Sequence, residues 1–75
     1  MGHALRERAI RQQLEQNERN IARIEIAITR QWLTVKVHSE SGIDAGPVGE
    51  LLKTFQETLA LYNKRRESLS RDLRG

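Results

Sequence analysis

The chain has no cysteine, a single proline, one residue each of Trp, Tyr and Phe, and no long apolar run in its 75 residues. Without Cys there is neither a disulfide nor a thiolate metal centre. His3 and His38 lie far apart with no carboxylate pair beside either, so a His/carboxylate metal site is not expected. Nucleophilic catalysis needs a nucleophile, a base and an orienting group together, and two isolated histidines do not supply them. Gly42, Gly46 and Gly49 lack the Lys and Ser/Thr of a phosphate-cradling loop. The expectation is a non-enzymatic protein without cofactor.

No apolar stretch approaches the ~20 residues of a membrane span. The opening Met1-Gly2-His3-Ala4-Leu5-Arg6 lacks the apolar core of a secretory signal, and Arg6 stands where a myristoylation motif asks for Ser or Thr. A soluble, cytoplasmic protein with no membrane partner is therefore expected. A domain of this size buries little surface by itself, and with disulfide and metal excluded, oligomerisation is the remaining ordinary remedy.

What the chain does have is two heptad runs on either side of Pro47. The first reads Ile10, Leu14, Asn17, Ile21, Ile24, Ile28, Gln31, Val35, and the second Val48, Leu52, Phe55, Leu59, Tyr62, Arg66, Leu69, Leu73. If the chain folds back between them, residues whose numbers sum to 83 face each other: 35 with 48, 28 with 55, 21 with 62, 10 with 73. One antiparallel register fits both runs. The expected fold is all-α, a coiled-coil-like antiparallel two-helix hairpin occupying 1–75 as a single domain. Its helices should cover about 4–38 and 47–73, with a turn at about 39–46.

Residues 24–37 are the ambiguous part, because Ile24, Ile26, Ile28 and then Leu33, Val35, Val37 alternate as two short strands would. The intervening Arg30-Gln31 contains no Gly, Asn or Asp to make a hairpin turn, and the heptad register runs through the stretch unbroken. Helix is the expected state. Gly42 suits the left-handed residue that ends a helix, and Pro47 suits the first turn of the next, with Asp44 or Gly46 as cap. Glu7/Arg11, Glu15/Arg19 and Glu67/Arg71 are spaced for ion pairs along the helices. His38, near the turn, is expected to be a solvated cation complementing a helix C-terminus.

Asn17 and Arg66 fall opposite each other among apolar layers. A polar pair there would fix register, unless Arg66 instead runs its aliphatic stem out to solvent. Ile26, Leu33 and Val37 point to the outer side of the first helix, with Trp32 at the edge of the seam and Leu51 and Leu61 off the seam of the second. A lone hairpin cannot bury that outer set. Ile26, Trp32, Leu33 and Val37 are therefore the expected protein interface, serving a second copy, with a dimer and a four-helix bundle favoured, or another protein partner.

The net charge of +3 all falls at the open end of the hairpin, residues 1–18 with 60–75; the remainder carries five charges of each sign. Arg6, Arg8, Arg11, Lys64, Arg65, Arg71 and Arg74 are the candidate contacts to nucleic acid or an acidic partner. Interleaved acids and the scarcity of aromatics there, Tyr62 being a seam residue, argue against nucleic acid as the first choice.

The stretch Leu51 to Arg66 (LLKTFQETLALYNKRR) is locally similar to the second helix of type III secretion needle subunits, small helical hairpins with a Pro-containing turn. The similarity covers under a quarter of the chain, which lacks that family's apolar C-terminal end and has a far more charged first helix, so no membership is read from it. The architecture also resembles the plasmid-encoded Rop hairpin, which dimerises into four helices and binds RNA; nothing beyond the heptads is shared. The expected function is that of a small interaction or assembly protein acting through helical surfaces and self-association, with nucleic-acid binding through the open end as the alternative.

Overall fold

The computed structural model describes residues 2–75 and shows two α-helices in antiparallel contact, α1 (Gly2–Glu40) and α2 (Gly46–Arg74). Among the described residues there is no strand, and residues 24–37 are helical throughout. Alternation of apolar residues there reflects two apolar faces on one helix. One face meets α2 and the other turns away from it.

All sixteen heptad positions are buried or half-buried, so the seam is the contact between the helices. Only Ile10, Ile21 and Leu69 among the apolar ones are buried outright, joined by Asn17. The seam positions from Ile24 to Leu59, nearest the turn, are all half-buried. Two helices can shield a seam from two sides only. The outcome is a thin rod, 61 × 14 × 14 Å along its principal axes.

At the turn, Gly42 adopts φ 73°, the left-handed region that a Cβ disfavours. The Ile43 amide then donates to the His38 carbonyl at 2.8 Å and the Gly42 amide to that of Ser39 at 3.3 Å, the paired bonds of a Schellman ending. Pro47 lies in the first turn of α2, as its fixed φ favours. The cap differs from expectation. Ala45 occupies the N-cap position and makes no side-chain bond, while Asp44, one residue earlier, accepts from the Gly46 amide at 2.9 Å. With Ala at the boundary, Asp44 is the nearest side chain able to satisfy an amide of the first turn.

Glu7/Arg11, Glu15/Arg19 and Glu67/Arg71 do not close. The one ion pair among the described residues is Arg66–Glu18 at 3.3 Å, between the helices. Exposed side chains of this kind gain too little in water to be held together by spacing alone.

Candidate interaction surface

Of the two arrangements expected at the Asn17 layer, the structure shows the one in which Arg66 runs out to solvent. Asn17 is 2 % exposed, and its Nδ2 donates across the seam to the Tyr62 carbonyl at 3.0 Å. Arg66 turns away: it donates to Glu18 at 3.3 Å and to Asn63 at 3.0 Å, with its side chain 42 % exposed. The short Asn reaches only the facing backbone, while the long Arg stem carries its charge out to water. Asn17 Oδ1 is buried without a partner. Gln13, Gln16, Asn20, Tyr62 and Arg65 line a shallow depression beside it, and Arg65 donates to Gln13 at 3.4 Å.

His38 departs from the solvated state expected of it. It is half-buried against the turn, its Nδ1 is shielded without a hydrogen-bond partner, and its carbonyl serves the Schellman bond.

The outer apolar set is exposed as a group: Ile26 54 %, Trp32 55 %, Leu33 52 % and Val37 56 %. At ~100° per residue, Ile26, Leu33 and Val37 lie within about 40° of one line along α1, on the side away from the seam. Trp32 sits about 100° or more from each of them. The structure therefore brings three of the four together and leaves Trp32 on a flank, where the Lys36 ammonium lies 6.0 Å from the centre of its ring. Leu51 and Leu61 are exposed on α2, and Ile43 in the turn. Ile43 escapes the heptad reading because it belongs to neither helix.

The seven candidate cations are all exposed and none is in an ion pair among the described residues. They do not form one patch. Arg71 and Arg74 join Arg66 around a shallow depression on α2 that also includes Glu67 and Ser70. Arg8 and Arg11 border another on α1, together with Glu7 and Glu15. Arg65 turns to Gln13, while Arg6 and Lys64 border neither depression. Each basic group is thus interleaved with acids.

Among the described residues no group of three or more His, Asp or Glu side chains is placed to hold a metal ion, and no helix is long and apolar enough to cross a membrane. The chain matches no family model, no curated protein and no solved structure. Its functional reading rests on its own surfaces.

Proposed function

We propose that this chain is a small non-enzymatic assembly protein that acts by binding through helical surfaces, first of all to a second copy of itself to make a four-helix arrangement. The observation that carries this reading is the line of Ile26, Leu33 and Val37, each more than half exposed and facing away from the partner helix. Water contact with such a line is unfavourable by about 25 cal/mol per Å² of apolar surface, and covering it is the ordinary source of helix association.

The rod's total surface supports the same reading. It exposes 5916 Å², whereas compact monomers of 8.7 kDa expose about 4,700 Å² by the usual mass scaling. The difference is comparable to what a stable interface covers. Ile26→Asp with Leu33→Asp should leave helicity intact by circular dichroism and abolish association by sedimentation. Association unchanged in that double variant would remove the surface from consideration.

Nucleic-acid binding is the second reading, favoured by the seven open-end cations that no ion pair occupies among the described residues. It predicts retention of RNA or DNA at low salt, with affinity falling steeply as salt rises. Protein free of nucleic acid on purification, with no mobility shift at low salt, would dismiss it.

A further inference from the structure

Outside the seam, α1 carries a second heptad line that is complementary to itself. Arg23, Ile26, Arg30, Leu33, Val37 and Glu40 follow steps of three and four residues and are all exposed. Laid against its own copy in the antiparallel sense, with facing residue numbers summing to 63, this line places Ile26 on Val37, Arg30 on Leu33 and Arg23 on Glu40. Apolar positions then meet apolar ones toward each end of the contact. The Arg30 stem covers Leu33 near its centre, and opposite charges close each end. Neither Arg23 nor Glu40 has an ion-pair partner within its own hairpin among the described residues. Ala22 and Thr29 flank the line with small side chains that allow close approach.

Resting on the self-association reading, we infer that the occupant of this face is a second copy of the chain, joined α1 to α1 in antiparallel orientation through residues 23–40, so that only the turn-proximal halves overlap. Charge placement selects this arrangement over two others. Parallel hairpins would bring two open ends of +3 together, and hairpins overlapped along their whole length would lay the apolar turn-proximal half of one over the charged open half of the other. The staggered antiparallel pair joins the two net-neutral halves and sends the basic ends in opposite directions. In the overlap the four helices run α2-α1-α1-α2 as a layer. The contact is about 27 Å long at 1.5 Å per residue, short for a permanent interface, so association should be reversible and concentration-dependent.

The absence of native Cys makes oxidation of single-Cys variants a clean test on the full chain. Ile26→Cys and Val37→Cys proteins are oxidised separately and as a mixture. The expected result is a disulfide-linked species in the mixture alone, since like positions lie about 16 Å apart along the axis, beyond the ~7 Å between Cα atoms that a disulfide spans.

Linkage within each variant alone would mean parallel packing, overturning this inference while preserving self-association. No linkage in any sample from protein that still sediments as a dimer would place the contact on another face. A monomer at every concentration would sink the underlying reading as well.

Solution scattering of the unaltered protein provides an independent measure. The staggered dimer should be about 90 Å long, allowing ~1.5 Å for each of the residues of α1 beyond the overlap centre, and a length near the 61 Å of a single hairpin refutes it. Arg23→Glu and Glu40→Arg should each weaken association several-fold, and the two together should restore it. Failure of the double variant to recover removes the end pairing.

Discussion

Replacing Asn17 by Leu should stabilise the hairpin, although it deletes a hydrogen bond that crosses the seam. Asn17 is 2 % exposed, donates once to the Tyr62 carbonyl and leaves Oδ1 buried without a partner. Losing the hydrogen bond costs about 1 kcal/mol net, and the Tyr62 carbonyl, being within α2, keeps its helical donor. Removing an unsatisfied buried acceptor returns about 1–3 kcal/mol. The Leu side chain has the same branching and number of heavy atoms as Asn, and its burial adds about 1.5–3 kcal/mol.

The balance favours Leu by about 3 kcal/mol. At ~4–8 °C per kcal/mol for a domain this small, the thermal midpoint should rise by on the order of 10–20 °C. Thermal and urea unfolding followed by far-ultraviolet circular dichroism, at one fixed protein concentration, measures it. A midpoint unchanged or lowered would refute the reasoning, because it would mean that Oδ1 finds a donor in solution, from water or from a second copy. The expected cost of the Leu variant is specificity: without the polar layer the two seams lose a marker of their register, and association should become more heterogeneous by sedimentation.

Other substitutions test the remaining parts of the structure. Gly49→Ala, in the first turn of α2 with open space where its Cβ would stand, should stabilise by about 0.5–1 kcal/mol in urea unfolding. Gly42→Ala, forced to φ 73°, should destabilise by about 1–2 kcal/mol in the same assay. Ile21→Ala removes the most buried apolar side chain, 5 % exposed, and should cost about 2–3 kcal/mol, at the low end of such truncations because a two-helix rod can relax around the gap.

The seam was legible because burial follows heptad spacing wherever one helix has one neighbour. Every position from Ile10 to Val35 and from Val48 to Leu73 in that pattern is shielded. Gly42 and Pro47 marked the turn, since each has a backbone requirement that few residues share. At Asn17 and Arg66 the sequence left two arrangements open, a facing polar pair or an Arg66 stem run out to solvent, and the structure shows the second. Register places Cα atoms at one level, but the side chains differ in length by several bonds and so end in different surroundings.

The charged spacings at Glu7/Arg11 and its counterparts failed for another reason: they permit a contact that solvent does not reward. The seven open-end cations share one end of the rod but not one face. Nearness to one end of the rod is legible from residue number, whereas direction around it depends on helix azimuth, and the azimuths of these residues diverge. Trp32, at the edge of the seam already by its spacing, stands on a flank of α1 apart from Ile26, Leu33 and Val37.

Burial along the rod is unequal, and the inequality divides the labour of the two halves. Ile10, Asn17, Ile21 and Leu69, the buried residues, all stand away from the turn, so the open half supplies most of the hydrophobic hold between α1 and α2. The turn-proximal half is held by seam positions that are only half-buried, together with the short connection between the helices, and six of the eight large exposed apolar residues among the described residues lie there, Leu5 and Leu61 standing nearer the open end. A hairpin optimised for life alone would distribute its apolar residues the other way, putting the charges where the seam is thinnest. Here the thin part is uncharged in net and apolar on more than one side, while the well-shielded part carries the surplus positive charge. That arrangement suits a rod whose open half maintains its shape and whose turn-proximal half is completed by something else.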